Sequence, residues 1–155
     1  MPTGLAAGVS SAVMSPLQIV LDTNVLVAGL RSQRGASFRL LSLVGRGRFD
    51  INLSVPLVME YEEVLMREVA EQHVARSVIE DVLDFHCDVA HRHRVFFLWR
   101  PTLRDADDDM VLELAVAAGC SRIVTHNLRD FAGVERFSIR AITPGAFLHE
   151  IGDTP

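Results

Sequence analysis

Short apolar runs rich in β-branched residues alternate along the chain with longer segments whose apolar residues recur at helical spacing. The run QIVL at 18–21 ends directly in the polar triplet DTN, which is typical of a buried strand. Strands separated by helices usually pair in parallel, because the helix carries the chain back to the end of the sheet at which the preceding strand began. We therefore predict a three-layer α/β/α fold with a central, mostly parallel sheet of four to five strands.

The same patterns give the expected position of each element. Strands are predicted at 18–21, 49–54, 94–99, 122–127 and 137–142. Helices are predicted at 24–30, 36–47, 57–70, 74–91, 110–119 and 145–150, with a turn or short helical segment at 127–131.

The length and composition suit one domain in a reducing compartment. A chain of 155 residues can bury a sizeable core, so we expect a single domain at 17–150 between a flexible N-terminal tail at 1–16 and a C-terminal tail at 151–155. Two cysteines do not form a disulfide framework, which favours the cytoplasm. No apolar run approaches the roughly 20 residues that a membrane-spanning helix needs.

Polar residues follow the predicted strands where ligands bind in parallel sheets. Asp22 follows the first strand, Asn127 ends the fourth, and Glu60 lies one turn into the helix after the second. Asp109 stands at the start of the apolar helix that precedes the fourth strand. Converging carboxylates repel unless a cation or proton bridges them, and oxygen ligands favour Mg²⁺ or Mn²⁺ over zinc. Such a site suits phosphodiester hydrolysis.

The run RDADDDM at 104–110 sets four aspartates against this apolar helix. We expect Asp109 to bind the metal, and Asp105 to be either a second acid or the helix cap. Asp107 and Asp108 are expected to complement the helix dipole and face solvent.

The net charge of −5 does not favour a nucleic-acid partner, but the arginines are unevenly placed. The spans 23–49 and 91–104 contain no acidic residue, and they carry nine of the fifteen arginines. Basic segments beside an acidic centre suit a phosphate polymer that meets a metal. The chain has no lysine, which excludes a P-loop lysine and Schiff-base chemistry.

Four segments, IVLDTNVLVAGL, MEYEEVL, RDADDDMVLELAVAAG and IVTHNLRDF, resemble in order the successive motifs of PIN domains over about 17–148. The texture is most similar to the toxin components of bacterial toxin–antitoxin pairs related to the VapC-type toxins. The resemblance implies a Mg²⁺- or Mn²⁺-dependent ribonuclease that acts on single-stranded RNA, pairs with an antitoxin protein and forms a homodimer.

The resemblance also assigns roles to residues of this chain. The implied catalytic residues are Asp22, Glu60, Asp109 and Asn127, where Asn127 replaces the aspartate of some members. The metal would be held by Asp22, Glu60, Asp109 and Asp130, with Asp130 as the substitute acid. Candidates for RNA contact are Thr23, Asn24, Thr125, Arg31 and Arg34.

Plainer interpretations remain open from the sequence. Each acid taken alone is explained as a helix cap or a solvent-facing group, and the four together carry the functional hypothesis. The alternative function is a PIN-like module that binds RNA or protein without cutting, because Asn127 lacks the acid. The segment HCDVAHRH at 86–93 lacks the spacing of a zinc site. Phe96, Phe97 and Trp99 fit a buried strand, and of the three only Trp99 is a candidate for an exposed surface on which bases stack.

Overall fold

Five parallel strands form one sheet in a computed structural model that describes residues 15–95, 103 and 105–153. The strands lie in the order β3-β2-β1-β4-β5. Their bounds are β1 Leu17–Leu21, β2 Phe49–Ser54, β3 His91–His93, β4 Arg122–Val124 and β5 Arg140–Ile142. Every pairing is parallel, with Leu17 of β1 opposite Phe49 of β2 and Leu21 opposite Val124 of β4.

Six helices connect and cover the sheet, and the three-layer α/β/α prediction is confirmed. Their bounds are α1 Thr23–Arg31, α2 Ala36–Leu43, α3 Val55–Glu68, α4 Arg76–Val89, α5 Ala106–Ala117 and α6 Pro144–Glu150. Two 3-10 turns, Leu128–Phe131 and Val134–Phe137, lie between β4 and β5. No helix in the described part of the chain is long and apolar enough to span a membrane.

Helix starts follow from local chemistry. The Ser54 hydroxyl accepts a hydrogen bond from Leu57 N at the start of α3, and Pro56 occupies its first turn, where a missing N–H costs nothing. Thr143 and Pro144 repeat this arrangement at α6.

The core lies against the central strand β1. Ile19, Val20 and Leu21 of β1 are at most 1% exposed, which matches the apolar run that predicted a buried strand. Helix α5 packs against β1, β2 and β4, and α3 packs against α1, α4 and β2.

The order of the strands fixes where a site can form. The chain builds β2 and β3 on one side of β1 and then crosses to build β4 and β5 on the other. This reversal leaves a crevice at the carboxyl ends of β1 and β4, the usual ligand position in an open parallel sheet.

Several boundaries differ from the predictions. Helix α5 begins at Ala106 rather than Met110, because Asp105 caps it and draws the acidic run into its first turn. His91 opens β3 instead of ending the preceding helix. The last strand is limited to Arg140–Ile142, because the 3-10 turn before it ends at Ser138 with a positive φ of 62°. Most of the predicted strand 94–99, with Phe96, Phe97 and Trp99, lies outside the described residues.

The chain's final described residue is held to the domain. Arg39 donates two hydrogen bonds to the Asp153 carboxylate, at 2.9 and 2.8 Å, and Arg48 lies 3.7 Å from it. The segment 151–153, predicted as part of a C-terminal tail, is therefore bound by Arg39 of α2 and by Arg48, which precedes β2.

Candidate active site

An open cleft of about 460 Å³ lies at the carboxyl edge of the sheet, beside β1 and β4. Seven acidic side chains line it, together with two amides and two arginines. They are Asp22, Glu60, Glu68, Asp105, Asp107, Asp108, Asp130, Asn24, Asn127, Arg31 and Arg67. Acids from four separate segments thus share one cleft, as the motif order predicts.

Asp22 is the best-anchored acid of the cleft. Its Oδ1 accepts a 2.9 Å hydrogen bond from Thr23 N, which caps α1, and its backbone N donates to Val124 O of β4 at 2.9 Å. The Thr125 hydroxyl donates to its Oδ2 at 2.8 Å. Burial raises the pKa of Asp22, and this rise is opposed by the hydrogen bonds from Thr125 and Thr23.

Asn24 and Thr125 form a frame behind this carboxylate. The Asn24 amide donates to Asp22 Oδ2 at 3.2 Å, and its own oxygen accepts from His126 N at 3.2 Å. The Thr125 hydroxyl also accepts from Asn127 N at 3.0 Å. Thr125 is fully buried and Thr23 is 7% exposed. These three predicted RNA contacts each donate a hydrogen bond to Asp22, Thr23 through its backbone N. Thr23 and Asn24 also line the cleft, whereas Thr125 does not.

Glu60 reaches the cleft from the second turn of α3. Burial raises its pKa first, followed by the charges of Asp107, Glu63 and Asp22, while Arg67 opposes the rise. Glu62 and Glu63 are exposed, as expected for solvent-facing residues. The structure therefore brings Glu60 and Asp22 into the same cleft and within each other's electric field.

Asp108 is partly buried and lies near four other acidic side chains. Burial and the surrounding charges of Asp22, Asp105, Asp130 and Asp107 raise its pKa to about 7. A carboxyl group whose pKa is raised so far by burial and by neighbouring acids favours binding of a proton or a cation. Asp105, meanwhile, accepts a hydrogen bond from Asp107 N at 2.8 Å, so it caps α5 and also lines the cleft.

The prediction that Asp109 stands with Asp22 and Glu60 needs correction. Asp109 is 8% exposed, does not line the cleft, and accepts a hydrogen bond from Leu103 N at 2.8 Å. Because each helical residue turns by about 100°, Asp109 points to the face it shares with Glu113, whereas Asp108 points to the cleft. Asp108 therefore takes the place in the cleft that was predicted for Asp109, although the sequence interpretation assigned Asp108 to solvent.

The end of β4 supplies an amide and an acid. Asn127 and Asp130 both line the cleft, and the 3-10 turn at Leu128–Phe131 carries Asp130 back towards it. The charge of Asp130 raises the pKa of both Asp22 and Asp108. Asp130 is thus placed where it can compensate for the missing acid at Asn127.

Two arginines flank the acids. Arg31, a predicted RNA contact, lines the cleft with its guanidinium 3.6 Å from the Glu68 carboxylate. Arg67, which the sequence interpretation missed, lines it from the last turn of α3. Its spacing of seven residues from Glu60 puts both on one helix face, and this spacing was the available signal.

Other arginines of the basic span serve different purposes. Arg34 lines a separate depression with Arg39 and Asp153 and does not line the cleft, so its contact with RNA stays a prediction. Arg39 and Arg48 are engaged by Asp153. Three arginines of the first acid-free span, Arg31, Arg39 and Arg48, therefore pair with acids distant in sequence.

The imidazoles at 86–93 have separate partners. His86 donates from Nδ1 to Val82 O at 2.8 Å, His91 lies 3.0 Å from Asp50, and His93 lies 2.8 Å from Asn52 Oδ1. Within 15–95, 103 and 105–153, no group of three or more His, Cys, Asp or Glu side chains is arranged so that it could hold a metal ion. The acids that line the cleft would therefore have to move closer together to bind one ion.

The donor chemistry of the cleft fits a hard divalent cation. All its candidate ligands are carboxylate or amide oxygens, which hard divalent cations prefer. Burial and the neighbouring acids disfavour the charged form of Asp108, and a bound cation would stabilise it. Residues that could hold the ion are Asp22, Glu60, Asp108 and Asp130, with Asp105 beside them.

Comparison with known proteins identifies the family. A family model described as PIN domain matches residues 18–129, well over half of the chain. This match ends before Asp130 but includes Asp22, Glu60, Asp108 and Asn127. No curated protein matches the chain in the comparison. PIN domains are generally nucleases that depend on divalent metal ions. The chain belongs to the PIN domain family.

Proposed function

We propose that this protein is a Mg²⁺- or Mn²⁺-dependent endoribonuclease that hydrolyses phosphodiester bonds of single-stranded RNA. The observation that carries the proposal is the convergence of Asp22, Glu60, Asp108 and Asp130 on one cleft, with the pKa of Asp108 raised to about 7. Such a cleft repels a phosphate unless a cation is present. Dependence on the metal therefore follows from the same acids that would bind it.

The residues of the cleft have distinct roles in this proposal. Asp22 and Glu60 are the principal ligands, and Asp108 and Asp130 complete the set. A bound Mg²⁺ or Mn²⁺ would neutralise these acids and polarise the scissile phosphate. Thr125 and Asn24 hold the Asp22 carboxylate in one orientation. Arg31 and Arg67 attract neighbouring phosphates of the strand, as guanidinium groups do.

The biological role is proposed from the family resemblance. We propose that the protein is the toxin of a type II toxin–antitoxin pair, that it acts in the cytoplasm and that it forms a homodimer. Expression of the protein alone should arrest growth, and co-expression of the product of a neighbouring small gene should restore it. Normal growth with an active nuclease would contradict the toxin role without affecting the chemistry.

One observation favours a second candidate function. Asn127 supplies an amide where some PIN domains have an acid, so a cleft with fewer metal ligands could hold RNA without cutting it. The position of Asp130 in the same cleft supports the nuclease instead. Binding of single-stranded RNA without cleavage at any metal concentration would favour the binding module.

Cleavage of matched oligonucleotides tests the proposal. We expect fluorescent single-stranded RNA to be cut with Mn²⁺ or Mg²⁺ and left intact with EDTA, and duplex RNA and single-stranded DNA to be cut more slowly. Glu60→Gln should lose activity, whereas Glu62→Gln, an exposed neighbour on the same helix outside the cleft, should retain it. Equal activity of the two variants would contradict the assigned site.

A further inference from the structure

Tyr61 is the chain's single tyrosine, and it is buried beneath the cleft. Its side chain is 1% exposed, and its hydroxyl donates a 2.5 Å hydrogen bond to the backbone carbonyl of Leu21. A buried phenol needs such a partner, but packing alone does not require that the partner be this carbonyl. The bond joins two segments that are 40 residues apart in sequence.

The positions of the two bonded residues give this contact its significance. Leu21 is the last residue of β1 and immediately precedes Asp22. Tyr61 immediately follows Glu60 on α3. The hydrogen bond therefore fixes the end of the strand that carries one acid to the helix turn that carries the other. The phenol also lies in the field of Asp22, whose charge adds to burial in raising the pKa of Tyr61 well above its usual value.

Other contacts hold each acid, and packing of α3 against α1 also links the two segments. No other side-chain hydrogen bond among the described residues, however, joins the end of β1 to the turn of α3 that carries Glu60. Asp22 is tied by hydrogen bonds to α1 and to the end of β4. Helix α3 is set by its Ser54 cap and by packing against α1 and α4. Rotation or sliding of α3 by about 1 Å would change the separation of Glu60 and Asp22, and metal sites are sensitive to such displacements.

We propose that Tyr61 is a positioning residue that sets the separation of Asp22 and Glu60 and thereby the affinity of the cleft for a divalent cation. This inference rests on the proposed function, because it concerns the same two acids. Tyr61 does not contact substrate or metal in this account. It acts through the Leu21 carbonyl on one side and the helix backbone beside Glu60 on the other.

Tyr61→Phe isolates the hydroxyl, because phenylalanine keeps the buried ring. Its matched control is Ser54→Ala, which removes the cap of the same helix without touching the bond to Leu21. Both variants should lower the thermal stability, because each loses a buried hydrogen bond, so the comparison separates loss of stability from loss of positioning. Magnesium binding is measured by calorimetry, independently of RNA cleavage, on the full-length protein.

We expect Tyr61→Phe to bind Mg²⁺ about tenfold more weakly than the wild type, the size of loss seen when an outer-shell partner of a metal site is removed. Ser54→Ala should bind as the wild type does. In cleavage assays Tyr61→Phe should need more Mg²⁺ for half-maximal rate, with little change in the rate at saturating Mg²⁺. In wild-type protein with isotope-labelled tyrosine, the one set of ring signals should shift as Mg²⁺ is added.

The outcomes separate this inference from the function on which it rests. Unchanged Mg²⁺ affinity in Tyr61→Phe, with a wild type that binds the ion, would overturn the positioning role alone. Equal weakening in Ser54→Ala would overturn it too, because general loosening of α3 would then suffice. Failure of the wild type to bind Mg²⁺ or to cut RNA would overturn the proposed function and this inference with it.

Discussion

The Thr125 hydroxyl donates a 2.8 Å hydrogen bond to the Asp22 carboxylate across 103 positions of sequence. This bond joins the ends of β1 and β4, the two strands between which the direction of sheet building reverses. Thr125 is fully buried, so its hydroxyl has a fixed partner and the carboxylate a fixed orientation. The motif threonine therefore contributes to the site by orienting an acid.

Thr125→Val should weaken both stability and cleavage. The variant keeps the shape of the side chain but leaves Asp22 Oδ2 and Asn127 N without this partner, at a cost of about 1–3 kcal/mol in the free energy of unfolding. Metal-dependent cleavage should fall about 10–100-fold. The control is Thr143→Val, which removes the cap of α6 away from the cleft. Comparable cleavage by both variants would argue against the orienting role.

Asp108→Asn and Asp109→Asn should have opposite consequences. Asp108 lines the cleft, so its amide variant should lose at least the ~10–100-fold in activity that loss of an outer-shell group costs. Asp109 is buried and accepts from Leu103 N, so its variant should be less stable by about 1–3 kcal/mol while cutting RNA at a similar rate.

Cleavage rates and thermal unfolding of the two proteins, measured in parallel, check this pair. Inactive Asp109→Asn protein that remains folded, beside active Asp108→Asn protein, would restore Asp109 as the ligand.

Stability without metal should fall as pH rises from about 4 to about 7. The Asp108 carboxyl has a pKa of about 7 in the folded protein and an ordinary value of 3.8, so folding takes up protons between these values. The raised pKa values of Asp22 and Glu60 act in the same direction. Mg²⁺ should restore the lost stability, and more so at the alkaline end, because the ion replaces the proton.

Thermal unfolding in EDTA across this pH range measures the effect, with Asp108→Asn as the comparison. The advantage of Asp108→Asn over wild type should grow with pH. A difference that stays constant with pH would show that Asp108 does not hold the proton.

Asp130→Asn tests the compensation for Asn127. If Asp130 supplies the acid that Asn127 lacks, its amide variant should need about tenfold more Mg²⁺ for half-maximal cleavage. The double variant Asn127→Asp/Asp130→Asn should recover most of that loss. The measurement is cleavage across a Mg²⁺ titration. If Asp130→Asn needs the same Mg²⁺ concentration as the wild type for half-maximal cleavage, Asp130 is not a ligand.

Much of the fold and three of the four proposed ligand acids, Asp22, Glu60 and Asp130, could be predicted from the sequence. The apolar run of β1 is clear because the strand is buried on both sides. Asp22 follows β1 directly, and Glu60 lies in the second turn of the helix that follows β2. The choice between Asp108 and Asp109 could not be made. Helix α5 buries residues around most of its circumference, so no apolar stripe indicates which aspartate faces inward.

Side-chain pairing was also beyond the sequence patterns. Arg39 and Arg48 belong to a basic segment that suggested contact with RNA, but in the folded protein both lie against Asp153. Such pairings join distant segments, and no local pattern contains them.

The most direct measurement of the central claim is Mn²⁺-dependent cleavage of single-stranded RNA by wild-type and Asp22→Asn protein purified identically. Asparagine caps helices as well as aspartate does, so the start of α1 should survive the substitution. The account predicts cleavage by the wild type that EDTA stops, and no cleavage by a folded Asp22→Asn variant. Equal cleavage by the two proteins would contradict it.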